Sequence, residues 1–312
     1  MRAFVVEELG SPGSVREIDD PKPEAGDLLV RVRAAGINPF DVAVVNGWLA
    51  EFIEHRLPLV PGGELSGEVV EAPDGSGFAA GDLVYGSLDR DWQGEGSWAE
   101  LVRVAPGQVV ARPASVDHPG AAGIPTAGLT GLEAVNASGL GEGGTLVVVG
   151  ATGGTGGYAT QLSAAKGIHV IAVSRGQNAE YAKELGAAET IDYTAGDVVE
   201  QILAAHPGGV DALFDTFHDT EGLVALANAV KEGGLLISPK GAADADAVAA
   251  TGRTGVNANR AAIERLADMN RLLEDGSIKI LTTKAYPLED ANQALAEVAS
   301  GHTRGKVALG ID

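Results

Sequence analysis

The sequence predicts an α/β protein in which a β-rich N-terminal part precedes a doubly wound parallel sheet. From Met1 to about Gly120, short apolar runs alternate with Pro, Gly and Asp turns, and helical periodicity is nearly absent. From about Ala121 onward, helix and strand patterns alternate, which is typical of a parallel sheet covered by helices. A chain of 312 residues is long enough for two domains of ordinary size, so we expect two hydrophobic cores.

The apolar runs give the expected elements in chain order. In the β-rich part they predict strands at Phe4–Val6, Leu28–Val32, Gly67–Val70 and Leu83–Tyr85. In the alternating part they predict strands at Leu146–Val149, Ile168–Val173, Glu189–Tyr193, Val210–Asp215 and Leu235–Ser238. Apolar residues close to a 3.6 period predict a helix from Ala261 to Glu274, and the tail Ile278–Asp312 returns to strand, helix and strand.

Composition excludes several classes of function. The chain has no cysteine, which removes disulfides, thiolate nucleophiles and thiolate metal sites. A net charge of −21 repels nucleic acid and anionic membrane surfaces. No apolar stretch approaches the roughly 20 residues that span a bilayer, and the N-terminus shows no signal-peptide pattern. We therefore expect a cytoplasmic protein that binds neither nucleic acid nor membrane.

The second part of the chain is organised around the stretch Thr145–Arg175. Its first strand, Leu146–Val149, is apolar throughout, as expected of a parallel strand covered on both faces. A glycine-dense turn follows, and then a small-residue helix over Tyr158–Lys166 and a second strand. This order of strand, turn, helix and strand is the setting in which a glycine-rich turn binds a dinucleotide.

The turn itself matches the dinucleotide fingerprint with one change, since Ala151 stands where the first glycine is usual. Glycines let backbone N–H groups approach a pyrophosphate at the helix N-terminus, where the helix dipole favours negative charge. The alternative is an ordinary glycine-rich strand–helix turn. The predicted cofactor-binding residues of the turn are Gly150, Ala151, Thr152, Gly153, Gly154, Thr155 and Gly156.

The choice of cofactor depends on the end of the second strand. An enzyme that uses NAD usually carries Asp or Glu there, to bind the ribose 2′-hydroxyl. This chain carries Ser174 and Arg175 instead, a hydroxyl and a guanidinium that can bind a 2′-phosphate. We therefore predict NADPH, and the alternative for Arg175 is a solvated surface charge.

Six ordered motifs carry a family resemblance. They are AAGINPFD (34–41), LPLVPGGELSGEVV (57–70), GDLVYG (81–86), GSWAEL (96–101), GIPTAGLTG (123–131) and the glycine turn. In order and spacing they resemble the medium-chain dehydrogenase/reductase superfamily, in its zinc-free quinone oxidoreductase (zeta-crystallin-like) branch. The resemblance implies a GroES-like β-rich catalytic domain at 1–120 and 277–312, an inserted Rossmann NADP-binding domain at 121–276, an active site in the cleft, and a homodimer.

The same resemblance bears on metal chemistry. In the zinc alcohol dehydrogenases of the superfamily, a cysteine and a histidine ligate the catalytic metal, and the matching positions here are Asn38 and Gly63. We therefore expect no metal, and hydride transfer to acceptors that delocalise negative charge themselves, such as quinones, enones and enals. Glu51 and His55 stand four residues apart in a predicted helix, where a solvated face is the favoured interpretation over a metal pair.

Further site residues follow from the resemblance. Asn38 and Thr126 match positions beside the nicotinamide and its ribose, and Tyr193 matches one that reaches the adenosine phosphate. Asn38 could instead be a turn residue before Pro39, and Thr126 a helix cap. Asp41 is interpreted as a structural hydrogen-bonding group.

The substrate pocket is less determined. Related quinone reductases carry Tyr and Arg where this chain has Ala43 and Val45. Candidate walls for a flat acceptor are Trp48, Phe52, Trp92 and Phe217, although each aromatic ring could equally serve core packing. Asn257 is a further candidate near the nicotinamide end.

No catalytic acid stands out among the six histidines, so we expect solvent to supply the proton, with His218 as the alternative donor. The sequence thus favours an NADPH-dependent reductase of a quinone or α,β-unsaturated carbonyl compound. The alternative is an NADPH-binding redox sensor or structural protein with little turnover.

Overall fold

The computed structural model describes residues 1–24 and 26–312. The strands in this part of the chain are β1 (Arg2–Val5), β2 (Ser14–Glu17), β3 (Leu28–Ile37), β4 (Glu54–Val60), β5 (Glu64–Glu71), β6 (Leu83–Ser87), β7 (Trp92–Glu95), β8 (Leu101–Val104), β9 (Val109–Ala111), β10 (Thr145–Val149), β11 (His169–Ser174), β12 (Glu189–Asp192), β13 (Val210–Asp215), β14 (Val230–Ser238), β15 (Thr254–Asn257), β16 (Thr282–Pro287) and β17 (Lys306–Gly310). The α-helices are α1 (Pro39–Val45), α2 (His118–Ala122), α3 (Pro125–Ala137), α4 (Gly154–Ala165), α5 (Ala179–Glu184), α6 (Val198–Ala205), α7 (Thr220–Ala225), α8 (Ala245–Ala249), α9 (Leu266–Glu274) and α10 (Ala291–Ala299). None of these helices is long and apolar enough to cross a membrane.

The chain divides into two compact units. The first comprises Met1–Thr126, Ile263–Glu274 and Ile280–Asp312, and the second comprises Ala127–Ala262 and Asp275–Lys279. The sequence-based boundaries had assigned α9 to the second unit. The structure groups it with the first, because the side-chain amide of Asn270 accepts a hydrogen bond from Tyr85 and donates one to the carbonyl of Ala111.

The second unit contains a six-stranded parallel sheet in the order β12-β11-β10-β13-β14-β15. This is the doubly wound order: successive strands are added on one side of β10 up to β12, and on its other side from β13 onward. Apolar residues at 146–149 and 170–173 are buried because helices cover both faces of the sheet. The α/β class expected from the alternating pattern is confirmed.

The first unit is mainly antiparallel β-structure. Seven strands form one sheet, with the path β16-β17-β3-β5-β6-β9 and β8 paired to β3. β1 pairs with β2, and β4 pairs with β7. The expected GroES-like class is confirmed, and the C-terminal strand β17 completes this sheet beside β3.

Each unit has its own core. In the first, the apolar side chains of β3, β5 and β17 pack around the fully buried Trp98. In the second, side chains of β10, β11 and β13 pack with Leu223 and Ile202 from the surrounding helices. Two local expectations were wrong. Glu51 and His55 lie in a turn and at the start of β4 rather than on a helix, and the helix expected from Ala261 becomes regular α-helix only at Leu266.

Candidate functional site

The glycine turn lies in the second unit, between β10 and α4. Gly150 adopts a positive φ of 78°, and its N–H donates to the carbonyl of Val173 on β11 at 3.1 Å. A Cβ on Gly156 would lie 2.2 Å from the Gly150 carbonyl oxygen, so only glycine lets the first turn of α4 pack against the strand end. These two glycines are therefore required by the protein's own packing.

Gly153 differs from them. A Cβ on Gly153 would meet only the Gly150 carbonyl oxygen, at an ordinary 3.4 Å. No atom of the described chain demands glycine there, and the open space lies directly before the N-terminus of α4, a helix of 12 residues. Unpaired N–H groups and the helix dipole at such a position suit a phosphate. The turn therefore fits a dinucleotide pyrophosphate.

Thr152 and Thr155 are the polar side chains of the turn. Thr152 is buried, and its Oγ1 accepts a hydrogen bond of 3.4 Å from Nδ2 of Asn178, which follows β11. Thr155 lies half-buried in the first turn of α4. Sequence reasoning missed Asn178, whose only signal is its position shortly after Arg175.

Ser174, Arg175 and Tyr193 come together at the ends of β11 and β12. Arg175 Nε donates a hydrogen bond of 2.9 Å to the Tyr193 hydroxyl, and Tyr193 is 45% exposed. Ser174 Oγ is buried and donates to the carbonyl of Arg175 at 3.3 Å. The guanidinium and the phenol thus form one exposed polar group beside the glycine turn.

A carboxylate lies near this pair. Asp192 ends β12 in register with Ser174, and a Cβ on Gly176 would lie 2.3 Å from its Oδ2. Hydrogen bonds from the hydroxyl and the N–H of Thr194 lower the pKa of Asp192. The carboxylate is therefore ionised at neutral pH, and its hydrogen bonds tie it to the Thr194 turn.

Asp215 and His218 form a pair at the end of β13. His218 Nδ1 lies 2.8 Å from Asp215 Oδ2, and Asp215 Oδ1 accepts hydrogen bonds from the N–H groups of Phe217 and His218. Asp215 is buried and pairs in register with Val149, the last residue of β10. His218 therefore lies at the carboxyl ends of the strands, where the glycine turn also lies. Sequence reasoning named His218 but missed Asp215, although an acid ending an apolar strand could have indicated it.

The first unit holds a cluster of buried polar groups, formed by Asn38, Asp41, Glu64, Lys306 and the backbone N–H of Thr126. Lys306 Nζ donates to the Ile37 carbonyl at 2.8 Å, to Asn38 Oδ1 at 2.6 Å and to Glu64 Oε2 at 3.1 Å. All three ammonium protons are thereby used. The Lys306 and Glu64 side chains are only 6% and 0% exposed.

Asn38 is held from both ends of its amide in this buried polar cluster. Its Nδ2 donates to Glu64 Oε2 at 2.7 Å while its Oδ1 accepts from Lys306. This pairing determines which way the amide faces and leaves one of its two N–H groups for another acceptor. The alternative interpretation of Asn38, as a turn residue before Pro39, therefore leaves out the contacts of its side chain with Glu64 and Lys306.

Thr126 lies in the first turn of α3, after Pro125. Its N–H donates to Glu64 Oε1 at 2.5 Å, so a carboxylate satisfies one of the free amides at this helix N-terminus. The helix begins at Pro125, so Thr126 is not the N-cap residue considered from the sequence. Sequence reasoning did not identify Glu64 or Lys306 as site residues, although a charged residue inside an apolar strand pattern is a recognisable signal.

Asp41 lies next to this network in α1. Its Oδ2 accepts a hydrogen bond of 2.8 Å from the N–H of Asn38. Burial raises its pKa to about 7, and the nearby Glu64 adds to the effect, whereas hydrogen bonding and Lys306 oppose it. Asp41 thus combines a pKa near neutral pH with a hydrogen bond to the backbone at the start of α1.

The residues around Asn38 do not fit a catalytic zinc ion. Asn38 and Gly63, where the family resemblance implies the metal ligands of zinc enzymes, offer neither an imidazole nor a thiolate. The Lys306 ammonium already lies against the Asn38 amide oxygen and the Glu64 carboxylate. A second cation at these oxygens would face that positive charge at close range.

The aromatic candidates fall into different surroundings. Trp48 and Phe52 are 67% and 82% exposed in the first unit, and Phe217 is 64% exposed in the second. Trp92 stacks under the Arg56 guanidinium at 3.9 Å and so has a packing partner. The Asn257 amide pairs with both the N–H and the carbonyl of Ala243 at 3.1 Å, which ties β15 to the loop before α8.

Comparisons with known proteins agree with this architecture. A family model described as an alcohol dehydrogenase GroES-like domain matches residues 24–114, and one described as a zinc-binding dehydrogenase matches residues 185–309. The chloroplast envelope quinone oxidoreductase homolog of Arabidopsis thaliana is 30% identical over 307 residues, covering 93% of this chain and 92% of that protein.

Two solved structures show the same fold over the whole chain. The quinone oxidoreductase from Coxiella burnetii has a TM-score of 0.90 at 27% identity, covering 100% of this chain and 99% of that one. An NAD-dependent alcohol dehydrogenase has a TM-score of 0.89 at 26% identity and covers 100% of both chains. One of these proteins is a quinone oxidoreductase and the other an alcohol dehydrogenase, so the shared fold does not by itself identify a substrate.

Proposed function

This chain belongs to the medium-chain dehydrogenase/reductase superfamily, in its quinone oxidoreductase-like branch, and from that premise we propose a zinc-independent, NADPH-dependent reductase of quinones or α,β-unsaturated carbonyl compounds. The observation that carries the proposal is the Arg175–Tyr193 pair at the strand ends next to the glycine turn. It offers a charge-assisted site for the phosphate that distinguishes NADPH from NADH.

The second unit supplies the binding groups for the cofactor. The open space at Gly153 admits the pyrophosphate to the N–H groups of α4, and Arg175 with Tyr193 binds the 2′-phosphate. Asp192 is the opposing charge beside this site: its Oδ1 accepts hydrogen bonds from Thr194, and its Oδ2 faces Gly176, the residue after Arg175. When bound, the reduced nicotinamide supplies the hydride.

The first unit supplies the polar group for the acceptor. Lys306 and Glu64 hold the Asn38 amide in one orientation, so its remaining N–H can donate to an acceptor carbonyl oxygen. One neutral N–H stabilises developing negative charge less than a metal does, which favours acceptors that spread this charge by conjugation. Solvent then protonates the product, and His218 serves no obligatory role.

We also propose that the protein is a homodimer formed through β15. This strand is at the edge of the six-stranded sheet, and β14 is its only partner among the described strands. Edge strands of this kind are usually covered. Light scattering in solution tests the proposal, and a monomer at micromolar concentration contradicts it.

The test of function is NADPH consumption followed at the reduced-nicotinamide absorbance band, with 1,4-benzoquinone and with a simple enone. We expect turnover with at least one acceptor, a lower KM for NADPH than for NADH, and no loss of activity after dialysis against a chelator. The alternative, an NADPH-binding redox sensor with little turnover, predicts cofactor binding without consumption across the panel. A lower KM for NADH contradicts the cofactor assignment.

A further inference from the structure

Three side chains of types that can ligate a metal meet at the β12 edge of the parallel sheet. His169 Nε2 lies 2.5 Å from Glu189 Oε1, and His206 Nε2 lies 3.0 Å from the same oxygen. One ligand atom from each residue lies within 4.8 Å of the other two. No local sequence motif indicates this cluster, because its first and last members are 37 residues apart and the three lie on two strands and directly after a helix.

The local strand geometry brings them together. In the parallel pairing of β11 and β12, Glu189 lies beside Ile171, two residues after His169. Residues two apart on a strand point to the same face, so the His169 and Glu189 side chains share one face of the sheet. His206 directly follows α6 and brings its ring to this face, with the two imidazole centroids 6.0 Å apart.

The cluster is accessible to solvent. The side chains of His169, Glu189 and His206 are 41%, 34% and 24% exposed. Burial opposes ionisation of Glu189, but hydrogen bonds from the two histidines outweigh it and lower the pKa of this carboxyl. A carboxylate is thus present at neutral pH, and solvent can reach all three groups.

We propose that His169, Glu189 and His206 form a binding site for a divalent transition-metal ion, with zinc as the best match. Two imidazoles and one carboxylate are a donor set that zinc takes, with water in the fourth position. A tetrahedral zinc site places its ligand atoms about 3.4 Å apart, so the donor atoms of this cluster would have to shift by about 1 Å to bind the ion. The competing possibility is a hydrogen-bonded cluster that binds no metal.

The proposed metal has a structural role rather than one in hydride transfer. His169 begins β11 and Ser174 ends it, which separates the metal site from the predicted cofactor residues by about 16 Å of strand. The ion ties together the first residues of β11 and β12 and the C-terminal end of α6. This inference does not rest on the proposed reductase function.

The test is a titration of Zn²⁺ into metal-free full-length protein without cofactor, followed by calorimetry and by the imidazole NMR signals. We expect one ion per chain, and zinc-dependent shifts confined to His169 and His206 among the six histidines. We also expect zinc to raise the melting temperature, because an ion that binds only the folded chain stabilises it. No binding, or equal shifts at all histidines, overturns the proposal.

Matched variants separate the site from general surface binding. His206→Asn and Glu189→Gln should each weaken zinc binding at least tenfold and remove the rise in melting temperature. His302→Asn replaces an exposed histidine outside the cluster and should change neither. Equal zinc affinity in the wild type and in both cluster variants contradicts the proposed site. If a variant fails to fold, the NMR titration of the wild-type protein still tests the proposal.

Discussion

Lys306 Nζ lies 3.1 Å from Glu64 Oε2 in the interior of the first unit, where neither side chain is more than 6% exposed. The two residues are 242 positions apart in the sequence. Glu64 lies on β5 and Lys306 on β17, and β3 lies between these two strands in the sheet. Because both charges are removed from water, each depends on the other for its stabilisation. The pair also holds the Asn38 amide, so it connects the stability of this unit with the geometry of the candidate site.

Replacement of Lys306 by Met should therefore destabilise the protein by about 3–5 kcal/mol, because the buried Glu64 carboxylate loses its counter-ion and keeps only neutral hydrogen-bond donors, Asn38 and the Thr126 N–H. Urea unfolding measures the loss. Lys183→Met is the matched control, since Lys183 and Glu180 form an exposed pair with side chains 52% and 82% accessible, and its loss should stay below about 1 kcal/mol. The double variant Glu64→Gln/Lys306→Met should recover part of the stability; a loss equal to the sum of the single losses contradicts a coupled pair.

Substitutions of Gly156 and Gly153 in the glycine turn should affect different properties, stability in the first case and cofactor binding in the second. Gly156→Ala should lower the free energy of unfolding by about 1–3 kcal/mol, because its Cβ would lie 2.2 Å from the Gly150 carbonyl oxygen. Gly153→Ala should cost less than about 1 kcal/mol but weaken NADPH binding, because its Cβ would occupy the space proposed for phosphate.

Gly141→Ala is the control for this pair, since its Cβ would meet no atom within 4 Å. Urea unfolding and fluorescence titration with NADPH separate the two effects. Unchanged NADPH affinity in a folded Gly153→Ala protein argues against the proposed position of the pyrophosphate.

Removal of the Arg175 guanidinium should raise KM for NADPH about 10- to 100-fold, the equivalent of one charge-assisted hydrogen bond. Arg175→Ala should leave KM for NADH nearly unchanged, because NADH has no 2′-phosphate. Tyr193→Phe should also raise KM for NADPH, but by a smaller factor, and Lys183→Ala should leave it unchanged. A similar loss for both cofactors indicates damage to the turn rather than loss of phosphate recognition.

Asp41 should make stability depend on pH near neutrality. Burial raises the folded-state pKa of Asp41 from its ordinary value of 3.8 to about 7, so between these values the folded protein binds more protons than the unfolded chain. The free energy of unfolding therefore falls as the pH rises through this window and levels off above about pH 7.

The measurement is urea unfolding between about pH 5 and pH 8 for the wild type and for Asp41→Asn, which keeps an oxygen acceptor for the Asn38 N–H. We expect the wild type to lose stability relative to Asp41→Asn as the pH rises. Parallel pH profiles in the two proteins mean that Asp41 does not titrate in this range.

His218 distinguishes protonation by solvent from protonation by the protein. If solvent supplies the proton, His218→Asn should reduce kcat by less than about tenfold, whereas loss of a general acid costs about 10²–10⁴. Asp215→Asn should behave like His218→Asn, because the carboxylate contacts the ring only at Nδ1, and the amide oxygen of Asn can still accept the N–H groups of Phe217 and His218. A loss of a hundredfold or more, with a changed pH profile of kcat, assigns the proton transfer to His218.

Local sequence patterns predicted the strand, turn and helix around the glycine turn, because interactions between residues close in sequence hold these elements. The apolar run Leu146–Val149, the glycines after it and the small-residue helix are contiguous, and each requirement acts over a few residues. The doubly wound sheet and the position of the glycine turn at a strand end followed from them. The helix expected at Glu51–His55 failed, because tertiary pairing of β4 with β7 outweighs a short helical spacing.

The sequence by itself determined the α/β class, the family motifs and the residues proposed to bind the cofactor. Tertiary structure alone decided that Glu64 and Lys306 bind one another and orient Asn38, that Asp215 holds His218, and that His169, Glu189 and His206 converge. The physical reason is that hydrogen bonds and ion pairs act over a few ångströms. Strand order and register decide which distant residues come within that range.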